Sequence, residues 1–293
     1  YGTDPDLYFL SRGVTTCLSQ GDAGADNWDD YRRELIDASR TRVRLALNLS
    51  RHGESHPTRN IPTLDAADVN ACIRTIEEGG DLIWGIAFNA AAVTIGDIDP
   101  RVIMERGLAV AEATDRPILY GSRKSSDWSL AEQLALLRPG DAMTYLYNRE
   151  EDGLMSDGKV EDAVLEARDR GVLFDLGHGM ASFSFPRAEE AIAQGFFPDT
   201  VSTDRYIRHV EEDPSHDMPR VMSKLIAIGM PEIDVFTRAT AAPARHLGLA
   251  GEVGTLEPGA CADITVLQWN HVAEPLTDCH GEQRSGPCLE PLL

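Results

Sequence analysis

The chain has 293 residues with 42% hydrophobic and 26% charged side chains, the composition of a globular protein and the length of one large domain or two modest ones. Asp and Glu total 48 against 27 Lys and Arg, a formal net charge of −21. That balance argues against a nucleic-acid partner, which needs a basic face, and against an anionic membrane surface.

Short apolar or β-branched runs alternate with amphipathic helical ones. Predicted strands are Gly13–Ser19, Arg42–Leu49, Leu82–Phe88, Pro117–Gly121, Ala142–Tyr147, Val172–Leu176 and Thr200–Thr203. Predicted helices are Trp28–Ser39, Ala66–Glu78, Pro100–Ala113, Ser129–Leu137, Lys159–Arg170, Arg187–Gln194, Pro219–Ile228 and Glu232–Leu247. Asp99-Pro100 and the Ser129/Glu132 pair are helix-start signals. A β-like stretch covers Gly254 to Trp269, and the tail Asn270–Leu293 reads as loop and edge strand. Seven strand–helix units imply an α/β fold with a helix-covered parallel sheet, one unit short of a (β/α)8 barrel. An open doubly wound sheet is the alternative, but no Gly-rich phosphate loop follows the first strand.

Five cysteines without a CxxC motif read as reduced thiols of a cytoplasmic protein, with Cys279 and Cys288 the pair that a disulfide would join. No signal peptide is recognisable, and no apolar run reaches the roughly 18 residues of a membrane span. Neither a Gly-x-Ser-x-Gly nucleophile elbow nor a P-loop is present.

Five short elements occur in order near the C-terminal end: Ala239-Thr240-Ala241-Ala242-Pro243-Ala244, Leu247-Gly248-Leu249, Gly254-Thr255-Leu256, Glu257-Pro258-Gly259 and Ala262-Asp263-Ile264-Thr265-Val266. Gly13-Val14-Thr15-Thr16, Asp175-Leu176-Gly177-His178-Gly179 with Ser182-Phe183-Ser184-Phe185, and Ser202-Thr203-Asp204 precede them. Together these resemble the amidohydrolase superfamily, in its deacetylase or dihydroorotase-like branch. The resemblance implies a (β/α)8 barrel over residues 1–248, with its first strand expected to precede Tyr1. Residues 249–293 would be part of a small β-sandwich and a tail.

The resemblance also implies a metal site at the barrel mouth. Its expected donors are a His-x-His pair on the first strand, a carboxylated Lys, two further His and the Asp of the eighth strand. At the lysine position stands Ala87, at the strand-five position Tyr120-Gly121-Ser122, and at the strand-six position Tyr145. Only Asp204 matches. The site therefore reads as having no carboxylated lysine and one zinc per chain, with Asp204 both metal ligand and catalytic acid–base residue. His178 is the second catalytic candidate, contacting substrate at the mouth; a turn histidine bonded to backbone is its structural alternative. Arg123 and Lys124 are candidates to bind a substrate carboxylate, or are plain surface charge. Tyr145 and Tyr120 either donate to a developing oxyanion or fill the vacated metal pocket, and one of them is expected to approach Asp204. Gln20, Asp22, Asn48 and Asn89 follow strands and are candidates to line the pocket. His209 and His216 flank Glu211-Glu212-Asp213 in a lid-like loop.

The implied function is hydrolysis of an amide, ester or cyclic amide bond in a small polar molecule. Two rivals stay open: a metal-free hydrolase using His178 and Asp204, and a catalytically degenerate barrel kept as a binding or scaffold protein. The expected partner is a small-molecule substrate, and assembly as a homo-oligomer is left open.

Overall fold

The computed structural model describes residues 2–55, 59–123, 127–149, 153–210 and 215–292. Strands β1 (Thr16–Ser19), β2 (Arg42–Asn48), β3 (Ile83–Asn89), β4 (Ile118–Gly121) and β5 (Ala142–Thr144) come first. A small antiparallel hairpin, β6 (Met155–Ser156) and β7 (Lys159–Val160), separates them from β8 (Leu173–Phe174). The main sheet runs β1-β2-β3-β4-β5-β8, every pair parallel. A parallel bridge from Asp175 to Thr200 adds the expected seventh member. It continues through Leu176 N to Thr200 O at 3.0 Å and Gly179 N to Thr203 O at 3.0 Å.

Alternation along each strand sorts the side chains. Leu45 and Leu47 of β2, Ile86 and Phe88 of β3, and Ile118 and Tyr120 of β4 face the helices in one continuous core. Ala46, Trp84, Ala87, Leu119 and Ala142 face the other way and pack together inside the curl of the sheet. At the β2–β3 pairing the register jumps from Ile83 to Gly85, which puts the bulged Trp84 on that inner face beside Ala87. The curl brings the two sheet margins together: β1 and residues Val201–Arg205 line one cavity of about 550 Å³. This is barrel architecture with seven of eight positions filled by the described residues.

Most predicted helices form, with shifted ends. Asp99 caps Pro100–Thr114 by accepting from Arg101 N, and Ser129 with Glu132 makes a capping box on Leu130–Leu136. The predicted Lys159–Arg170 helix begins only at Asp162, because Lys159 and Val160 belong to the hairpin. Glu232–Leu247 breaks into Glu232–Ala239 and Ala241–His246, with Thr240 off helical geometry and Pro243 in the next turn. The tail holds the largest departure. Leu267–Thr277 (β9) and Gln283–Pro291 (β10) form an antiparallel hairpin. Its Leu276, Cys288 and Leu289 join the same core as the barrel helices. All five cysteines are unpaired, Cys279 and Cys288 included. No helix among the described residues is long and apolar enough to cross a membrane.

Candidate active site at the barrel mouth

The C-terminal ends of the strands carry the polar side chains, as in any parallel barrel. Buried Asp175 ties three elements together there. It accepts from Thr144 Oγ1 at 2.8 Å, Thr200 Oγ1 at 2.6 Å and Ser202 Oγ at 2.6 Å. Beyond this knot the backbone turns sharply at two positions. Tyr145 follows β5 with φ +68° and Asp204 ends the seventh strand position with φ +46°. Left-handed backbone costs a side-chain-bearing residue on the order of 1–2 kcal/mol. It reverses the strand parity and swings both side chains over the mouth.

Both line one cavity of about 340 Å³, with Asn89, Ser182, Tyr206 and His209 among the other walls. Asp204 and Tyr206 also border the larger cavity, so they stand between the two. The Tyr145 phenol accepts from Gln20 Nε2 at 3.0 Å. Burial, with the Asp204 charge behind it, pushes that phenol well above its ordinary range. It is therefore a hydrogen-bond donor at neutral pH. The Tyr206 ring lies 4.0 Å from the His209 ring, centroid to centroid.

The other expected site residues end elsewhere. Tyr120 points out of the barrel: strand parity places it against Phe88, and its hydroxyl donates to Gln133 Oε1 at 2.7 Å in the helix layer. It does not approach Asp204; of the two phenols, Tyr145 is the one at the mouth. His178 also lies off both cavities. Its side chain is 0% exposed, stacked between Phe183 and His216, with Nδ1 2.7 Å from Gly179 O and Nε2 3.0 Å from Lys224 Nζ. Burial, then the Lys224 charge, hold its pKa well below the usual imidazole range. A sealed neutral ring does not contact substrate, so the expected role at the mouth is not met by its position. Arg123 is paired with Asp127 at 2.7 Å and lines neither cavity. Lys124 and Glu211-Glu212-Asp213 lie outside the described residues.

Of the polar residues after the strands, Gln20 and Asp22 line the larger cavity and Asn89 the smaller. Asn48 instead braces a turn, donating to Gly21 O at 3.0 Å. Two residues escaped the sequence reading. Tyr206 had a signal, its place two residues beyond Asp204. Lys224 had another: a rare lysine on the apolar face of a helix, beside Val221 and Leu225.

The residues present do not fit the family's metal centre. Ala87 is packed among apolar side chains, and Tyr145 brings a phenol where an imidazole would stand. Among the described residues no three His, Cys, Asp or Glu side chains are grouped to hold a metal.

Comparison with known proteins agrees with this architecture. The amidohydrolase-family profile matches residues 182–286. A deacetylase of Enterococcus faecalis is 31% identical over 284 residues, covering 96% of this chain and 75% of that protein. A deacetylase of Agrobacterium fabrum is 30% identical, over 96% and 70% of the two chains. Among solved structures, an adenine deaminase superposes with a TM-score of 0.91 at 30% identity, over 98% of this chain and 78% of that one. A dihydroorotase gives 0.87 at 28%, over 98% and 77%. With sequence relatives matched along almost its whole length and the same curled sheet in the solved folds, the chain belongs to the amidohydrolase family.

Proposed function

We propose that the protein hydrolyses an amide bond in a small polar molecule, the class of reaction for which its deacetylase relatives are named, at the cavity shared by Asp204 and Tyr145. One observation carries this reading: two side chains on left-handed backbone converge on a single cavity. Such backbone persists only where the surroundings hold it, and it clusters at functional sites.

The chemistry follows from the two groups. The Asp204 carboxylate takes a proton from water as the water oxygen attacks the amide carbon. The Tyr145 phenol donates to the carbonyl oxygen as it gains negative charge. When the C–N bond breaks, the carboxylic acid returns its proton to the leaving amine. Amidohydrolase-family proteins generally use metals such as zinc. The described residues bring no donor set to Asp204 that would hold the single zinc expected from the resemblance.

We also read residues 1–248 as the barrel and 249–293 as its appendage, and the unpaired cysteines as those of a cytoplasmic protein. The packed Ala87 favours a second reading, a binding barrel without turnover. Hydrolysis of a panel of N-acyl amino acids and cyclic amides, by the protein and by Asp204→Asn, separates the two. Turnover that falls on the order of 10²–10⁴-fold in Asp204→Asn, with unchanged melting temperature, supports the hydrolase. Equal turnover in both proteins removes Asp204 from the mechanism, and binding without turnover supports the second reading.

A further inference from the structure

The helix Met218–Ala227 buries a charge that the proposed chemistry does not use. Lys224 is 1% exposed, and its amine donates to Ser215 O and to His178 Nε2, each at 3.0 Å. An ammonium has only donors, so Nε2 is the acceptor and the ring proton sits on Nδ1. Nδ1 then donates to Gly179 O at 2.7 Å. The backbone of the same turn is stitched to the strand that ends in Asp204. His178 N donates to Ser202 O at 3.3 Å and Gly179 N to Thr203 O at 3.0 Å.

Gly179 completes the contact. Its φ is +51°, and a Cβ there would stand 2.7 Å from Asp204 Oδ2, so the bare backbone abuts the carboxylate. Phe183 and His216 clamp the two faces of the His178 ring. The path from Lys224 to Asp204 is thus continuous: ammonium, imidazole, Gly179 peptide, carboxylate.

We propose that Lys224 is a positioning residue that, through His178, presses the Gly177–Gly179 turn against Asp204 and so sets the direction of its carboxylate. Burial pulls the Lys224 amine down to about 8, a burden that an apolar residue at this site would not carry. The catalytic consequence rests on the hydrolytic reading; the structural one does not.

Lys224→Met removes the donor at similar length, and Lys224→Gln keeps a shorter one. Hydrogen exchange read by mass spectrometry reports the first arm. In Lys224→Met the amides of residues 178–179 should exchange on the order of tenfold faster, while those of β2 and β3 stay protected. Lys224→Gln should recover part of that protection. In the second arm kcat should drop on the order of 10–100-fold in Lys224→Met with KM little changed, since Lys224 lines neither cavity and only the aim of the Asp204 carboxylate changes. Unchanged exchange at residues 178–179, or equal loosening throughout the chain, overturns the proposal. If the unmodified protein hydrolyses nothing, the hydrolytic reading fails and the exchange arm still decides the positioning claim. Should Lys224→Met not fold, Lys224→Gln against the unmodified protein carries both readouts.

Discussion

Replacing Lys224 by Met should change how stability depends on pH. The amine titrates at 10.5 in the unfolded chain and at about 8 when folded, because burial disfavours the ammonium. Between those values the folded protein holds fewer protons than the unfolded one, so stability climbs with pH. The contribution is complete above 10.5 and is lost as pH falls through about 8, below which the buried charge opposes the fold by a constant amount. At about 1.4 kcal/mol per pH unit, the climb across this window is about 3 kcal/mol. Met has no proton to release, so Lys224→Met lacks the climb. The thiols of Cys17 and Cys72, both pushed up to about 12 by burial, titrate alike in both proteins and cancel in the difference. The lost hydrogen bonds to His178 and Ser215 add an offset that varies little with pH near neutrality. Urea unfolding at pH 7, 8, 9 and 10 measures both curves. The stability of the unmodified protein minus that of Lys224→Met should change little from pH 7 to 8 and rise from pH 8 to 10. A difference that is flat, or that falls, refutes the account of this amine.

Tyr120→Phe should cost about 1 kcal/mol through the lost bond to Gln133 and leave turnover intact, whereas Tyr145→Phe should cut turnover on the order of 10²–10³-fold with little change in melting temperature. Equal effects of the two would contradict the placement of Tyr120 in the helix layer and Tyr145 at the mouth. Gly179→Ala forces a Cβ against Asp204 Oδ2 on left-handed backbone, so the free energy of unfolding should fall by about 1–2 kcal/mol and turnover should fall with it. Ala87→Lys inserts a long cation among Ala46, Leu119 and Ala142; denaturation should show a loss of at least ~1–3 kcal/mol, and elemental analysis should find fewer than two metals per chain.

The barrel was readable because parallel strands buried on both faces leave continuous apolar runs, and seven such runs alternate with helices. Asp99-Pro100 and Ser129/Glu132 marked helix starts because capping is local chemistry. The β9–β10 hairpin was not readable: its long strands carry mixed polar residues, and only packing against the barrel helices distinguishes them from loop. The site divides the same way. Asp204 ends a recognisable strand, so its place was legible. Tyr120 could have been set aside from parity alone, since Ile118 and Tyr120 share the face opposite Leu119. Tyr145 breaks parity through its left-handed backbone, which no residue type announces. His178 looked exposed between two glycines, yet those glycines fold the turn inward, onto Lys224, a partner 46 residues away whose arrival depends on tertiary packing.

The central claim is that Asp204 and Tyr145 act together on one amide bond. A double-mutant cycle on the hydrolysis of the best N-acyl substrate tests it most directly, with Asp204→Asn, Tyr145→Phe and the two combined. Groups serving one transition state are not additive, so the combined variant should lose little more activity than Asp204→Asn alone. Losses that multiply, or hydrolysis that survives the combined change, would contradict the claim.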